Sequence, residues 1–159
     1  MKIEFDVKMT VPVMYDYMMY YTVTSTQFWL VIAISVILGC SFAVSRNPIH
    51  LIAAVVVLFY LPVERYFQAA KQVKLNPVFK ETLHYTLDEE KLSLDVMEEH
   101  MDAAWGTIAK VRSTKKNLIL YTNRVAATIF PREALGDDYG RVVELIRNGV
   151  PSDRVRIKG

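Results

Sequence analysis

Histidines and their acidic neighbours are the residues in this chain whose types could do chemistry. His100 stands among Glu98, Glu99 and Asp102, and an imidazole beside carboxylates is the pairing that general acid–base catalysis uses. The plainer reading is a turn whose carboxylates are simply hydrated. His84 and His100 alternate with apolar residues and so fall on the polar faces of strands. Neither has a cysteine or second histidine at ligand spacing, which argues against zinc. His50 opens an apolar run, and its place at the end of that run puts it at headgroup level rather than deep in hydrocarbon. Cys40 is the single cysteine, so an internal disulfide and a multi-cysteine metal site are excluded. Inside an apolar run it reads as a small packed hydrophobe. The six glycines form neither a phosphate-cradling loop nor a nucleophile elbow. The expectation is a protein that is not an enzyme, with no catalytic residue, no metal and no cofactor.

Basic residues offer a second kind of chemistry. Arg112, Lys115 and Lys116 make a basic turn that could touch anionic lipid headgroups, each charge near the surface contributing about 1 kcal/mol. A solvated turn is the alternative. Net charge is only +2 over 159 residues, and no domain-wide basic excess points to nucleic acid.

The elements that must carry these groups begin with two apolar runs. No charged residue lies between Asp16 and Arg46, and none between Arg46 and Glu64. Phe28–Val44, extendable back to Tyr20, and Ile49–Val63 are joined by Ser45-Arg46-Asn47-Pro48. A span needs about 20 residues for a hydrocarbon core of roughly 30 Å. Asn47-Pro48 suits a tight turn into a helix. Residues 25–67 are therefore read as a two-helix transmembrane hairpin. Tyr15, Tyr17, Tyr20, Tyr21 and Trp29 at one end, matched by Tyr60, Tyr66 and Phe67, fit the headgroup level. Ser35, Gly39 and Ala43 recur every four residues and are expected to pack against Ala53 and Ala54. A cleaved signal peptide is disfavoured by the acidic start and the second run. A buried hairpin of a soluble protein and a re-entrant pair are the other readings. Arg65, Lys71, Lys74 and Lys80 follow the second run, and Lys2 and Lys8 precede the first. The excess of positive charge outside the loop places both termini in the cytoplasm of a two-pass inner-membrane protein.

Beyond the hairpin the hydrophobic period changes to two. Leu83, Tyr85 and Leu87, then Leu92, Leu94 and Val96, alternate around Asp88-Glu89-Glu90-Lys91 and predict a hairpin. Met101, Ala103 and Trp105 share a face. Residues 107–113 form the next strand, and "LILYT" and "VAATIF" a further hairpin around Asn123-Arg124. A helix capped by Asp137 or Asp138 follows, with Tyr139, Val142, Val143 and Ile146 on one side and Gly149 and Pro151 closing it. Residues 80–150 thus read as a small antiparallel sheet or split barrel closed by a C-terminal helix, a pleckstrin-homology-like outline. Residues 68–79 are a juxtamembrane linker with Tyr66, Phe67, Ala70 and Val73 inward, after a bend at Pro62, or else an unbroken stalk. Residues 151–159 are a polar, mobile tail. Residues 1–24 hold the clearest strand pattern, Ile3, Phe5, Val7 and Met9 alternating with charges. It is expected to pair with the sheet of residues 80–130, the alternative being an interfacial segment lying on the bilayer.

With these stretches in view the chain resembles the YcxB-like family of bacterial membrane proteins. "YTLDEEKLSL", Trp105-Gly106-Thr107-Ile108, "NLILYTNRVAATIFPREAL" and the closing helix carry the likeness. The resemblance implies a two-helix membrane hairpin bearing a cytoplasmic pleckstrin-homology-like domain, and it brings no established activity. In pleckstrin-homology domains, phosphoinositide grip uses basic residues between the first two strands. Here that loop is Asp88-Glu89-Glu90-Lys91, which argues against that mode. The function expected is tethering of a domain for protein interaction or self-association at the cytoplasmic face. The partners would be membrane lipids, a membrane or cytoplasmic protein, or copies of the chain itself. An anionic-lipid-handling module is the alternative, and an oligomeric membrane conduit a third.

Overall fold

The computed structural model describes residues 2–123 and 126–157. Strand β1 (Ile3–Lys8) leads into helix α1 (Val11–Val23), followed by α2 (Thr26–Ser45) and α3 (Pro48–Leu75). Then come β2 (Thr82–Leu87), β3 (Lys91–Val96), β4 (Glu99–Ala104), β5 (Lys110–Ser113), β6 (Asn117–Tyr121) and β7 (Ala127–Pro131). Short α4 (Arg132–Leu135), α5 (Tyr139–Gly149) and β8 (Val155–Arg156) complete the chain.

Each boundary has a local cause. Ser25 breaks the long apolar stretch in two, because its hydroxyl accepts from the Phe28 amide at 3.4 Å and caps α2. The aromatic segment before it is therefore a separate helix, α1, and not an extension of the first apolar run. Asn47 caps α3 by accepting from the Ile49 amide at 3.1 Å, with Pro48 in the first turn. Arg46, the loop's one cation, takes the left-handed conformation that ends α2. Helices α2 and α3 pack along each other, and both are long and apolar enough to cross a membrane.

Pro62 lies inside α3, which continues through the expected linker to Leu75. The unbroken alternative is the one observed, and residues 68–79 are largely helix. A proline in mid-helix loses one backbone hydrogen bond, yet the turns on either side hold. The inward residues of this stalk also differ from expectation. Ala69 is fully buried and Val73 partly so, whereas Tyr66 and Phe67 are exposed, because α1 packs on the alanine side of α3.

The strands form two four-stranded sheets, ordered β1-β2-β3-β4 and β7-β6-β5-β8, and they do not close into a barrel. β1 runs antiparallel to β2, with Ile3 opposite Leu87 and Val7 opposite Leu83. Phe5 and Tyr85 from the first sheet meet Phe130 from the second, at ring-centroid distances of 5.1 and 4.9 Å. Burying such aromatic area is what holds the layers together. α5 closes the core with Val142, Leu145 and Ile146.

Three further expectations are corrected. Met101 is exposed although it shares a strand face with Trp105, because β4 is the edge of its sheet. Asp138 does not cap α5 with its side chain; its carboxylate pairs instead with Arg141 at 2.8 Å. The tail is not wholly loose, since β8 pairs parallel with β5. The turn placed at Asn123-Arg124 falls partly on Arg124, and the strand placed after it begins at Val125; both residues lie outside the described ones.

Candidate functional site

Polar groups gather on the junction between α1 and the second sheet, and on the outer face of the first sheet. At the junction, the Asp16 carboxylate accepts from Thr114 Oγ1 at 2.5 Å and Asn117 Nδ2 at 2.8 Å. Asn117, fully buried, also donates to the Val13 carbonyl at 3.1 Å. Thr114 and Asn117 bracket Lys115-Lys116, so this network holds the basic turn against α1. Both lysines point into solvent and border a depression with Thr10, Pro12 and Arg132.

Arg112 is elsewhere. Its guanidinium donates to the carbonyls of Val111 at 2.7 Å and Arg154 at 2.9 Å. It lines a pocket with Lys110, Tyr20, Tyr21 and Tyr121, beside the Ser25 cap of α2. The Lys110 ammonium sits 4.3 Å from the Tyr121 ring centroid, a cation–π contact. Burial pushes the Tyr121 hydroxyl well above the usual tyrosine range. The expected trio of Arg112, Lys115 and Lys116 is thus divided between two places. Lys110, which sequence reasoning missed, belongs with Arg112. Strand alternation carried that signal, since residues two apart share a face.

On α3, Arg65 and Glu64 do not form an ion pair. Arg65 donates to Gln68 Oε1 at 2.7 Å, and Gln68 donates to Glu64 Oε1 at 2.8 Å. Arg65 borders the groove between α1 and α3 near Tyr17 and Met18, while Lys71 and Lys74 stay exposed. Between α2 and α3, Ser35 Oγ donates to the Ala54 carbonyl at 2.9 Å, and Ala54 is buried with Ala53 partly covered. Gly39 leaves open space where a side chain would stand and Ala43 is exposed. Close approach therefore occurs at Ser35 and Ala54, not along the whole small-residue row.

The outer face of the first sheet carries a transverse row set by register. Asp6 lies opposite His84, His84 opposite Asp95, and Asp95 opposite His100. His84 Nδ1 meets Asp6 Oδ1 at 2.6 Å. His100 Nδ1 meets Asp95 Oδ1, and its Nε2 lies 3.0 Å from Asp102 Oδ1. Asp102 also accepts from Lys91 at 2.6 Å and Ser93 at 2.7 Å. Hydrogen bonds to Asp6 and Asp95 hold the two imidazoles above the usual histidine range. Lys91 and Ser93 bring Asp102 down to about 2. His100 stands on a strand, as expected, and so do Glu99 and Asp102, whose carboxylates were expected in a turn; the turn itself is Met97 and Glu98. Alternation of charge across a sheet stabilises cross-strand pairs. No grouping suited to a metal ion occurs among the described residues.

Residues 87–146 match the family model described as YcxB-like protein. The matched segment runs from the end of β2 into α5 and includes neither apolar helix. No curated protein and no solved structure matches the chain.

Proposed function

We propose that this chain is a two-pass membrane protein of the bacterial cell membrane. Its α2–α3 pair is a transmembrane hairpin that holds a non-enzymatic, pleckstrin-homology-like interaction domain at the cytoplasmic face. One observation carries this reading: the domain is built from both sides of the hairpin. β1 precedes α2, β2 follows α3, and the two strands pair along their length. Because the chain leaves and returns to one folded domain, both attachments lie on one side of the bilayer that α2 and α3 cross in this reading. The bias of lysine and arginine away from the α2–α3 loop supports the cytoplasmic side. Two attachments raise the effective concentration of the domain against other membrane-bound molecules. The YcxB-like match falls within that domain.

A second reading has its own support. The pocket of Lys110 and Arg112 adjoins the N-terminal end of α2, where headgroups would lie, and its tyrosines suit that level. Flotation of the full chain in vesicles separates both readings from a soluble protein. Resistance to alkaline extraction is expected, as is labelling of an Arg46→Cys variant, in a Cys40→Ala background, only by reagent outside the cell. Solubility without detergent, or labelling of the loop from the cytoplasm, overturns the membrane reading. Neutralising Lys110 and Arg112 is expected to leave domain behaviour unchanged. A strong change in anionic-lipid enrichment around the protein favours the lipid reading instead.

A further inference from the structure

The first sheet ends in two edges, and they are not equivalent. β1 has α4 packed against it. β4 pairs with β3 alone, and Glu99, His100, Met101, Asp102 and Ala104 are all exposed. An uncovered edge with an apolar residue on it is a template for another strand. We propose that the edge of β4 pairs antiparallel with β4 of a second copy of this chain, in the register that sets Met101 opposite Met101 and His100 opposite Asp102. This rests on the interaction reading above and names its partner.

Register follows from backbone parity. Met97 and Glu98 form a two-residue turn, which makes Val96 and Glu99 the closing pair. In an antiparallel ladder successive residues turn their amide and carbonyl groups to opposite sides. Glu99, Met101 and Ala103 therefore bond inward to β3, consistent with the Trp105 amide donating to Glu90 at 3.4 Å. His100, Asp102 and Ala104 present theirs to the outside. Only even-numbered residues can form the bonded pairs of a symmetric dimer. Three such registers engage the charged positions. One sets His100 against His100, another sets Asp102 against Asp102, and the third sets His100 against Asp102 twice.

Only the third is self-complementary. In it the row Asp6, His84, Asp95, His100 continues onto the partner's Asp102 without placing like charges opposite each other. On the inner face, the row Phe5, Tyr85, Leu94, Met101 meets its own copy at Met101. That pairing covers a side chain which is 51% exposed in the single chain. One short strand gives a small interface, and confinement to a bilayer supplies the concentration it needs.

A cysteine scan of the full chain, in membranes and in a Cys40→Ala background, tests the register. Residues facing each other in a non-bonded pair lie about 4.5 Å apart between Cα atoms, within the roughly 4.4–6.8 Å that a disulfide spans. Met101→Cys is expected to form a disulfide dimer on mild oxidation. Glu99→Cys and Ala103→Cys are each expected to stay monomeric alone and to crosslink when co-expressed, because those positions face each other. Met101→Lys, which sets two ammonium groups together, is expected to abolish the dimer seen by mass measurement in micelles. Crosslinking at all three positions alone, at none, or only to another protein overturns the proposal. Release of the chain by alkaline extraction with the cysteine pattern intact would sink the membrane reading and leave this pairing standing.

Discussion

At the scale of single residues, the molecule spends its polar groups on holding elements together. Asp16 shows this most clearly, as its carboxylate accepts from the buried Asn117 amide nitrogen and the Thr114 hydroxyl at once. Asp16→Ala leaves a buried donor without its acceptor, and a stability loss of about 1–3 kcal/mol is expected in thermal unfolding. The histidine row gives a pH dependence of definite sign. Both imidazoles are raised in the folded state by their carboxylate partners. Their contribution is fully present below the unfolded value of 6.5 and is lost as pH rises through the raised folded values. The unfolding midpoint should fall across that window. Asp95→Asn should return His100 toward its ordinary value in an NMR titration.

At the scale of elements, space decides more than propensity does. Gly149, the last residue of α5, has Trp105 lying against it. A methyl group there would come within 2.5 Å of the indole Cγ, so Gly149→Ala should cost about 1–3 kcal/mol and shift the fluorescence of Trp105. Gly39 is the opposite case. Nothing lies within 4 Å of the position its side chain would take, and Gly39→Ala should be neutral or slightly stabilising. Ser35→Leu should weaken α2–α3 packing by about 1 kcal/mol, since it removes the bond to the Ala54 carbonyl and fills the narrow contact. Comparing the two variants by unfolding in micelles checks which part of the small-residue row is a true contact.

At the scale of the whole molecule, the N-terminal strand makes the domain discontinuous in sequence. Ile3 and Val7 are buried in the common core at 3% and 0% exposure. Val7→Asp places a charge there without a partner. It should abolish cooperative unfolding of the entire domain, although Val7 lies far in sequence from most of that domain. A domain complete within residues 80–150 would instead lose only a peripheral strand. Following α5 and β2 separately by hydrogen exchange distinguishes the two outcomes.

Periodicity and composition alone fixed the existence of most elements. The two apolar runs, the alternation in Ile3–Met9, the hairpins and the closing helix are all local patterns, written in the order of side chains along the chain. Tertiary structure decided what those patterns could not carry. It separated α1 from α2, continued α3 past Pro62, and sent Arg112 away from Lys115 and Lys116. It also lined up Asp6, His84, Asp95 and His100 from four different strands. Each of these depends on register or on which helix covers which face, and such choices are made by contacts between residues distant in the chain. No local spacing records them.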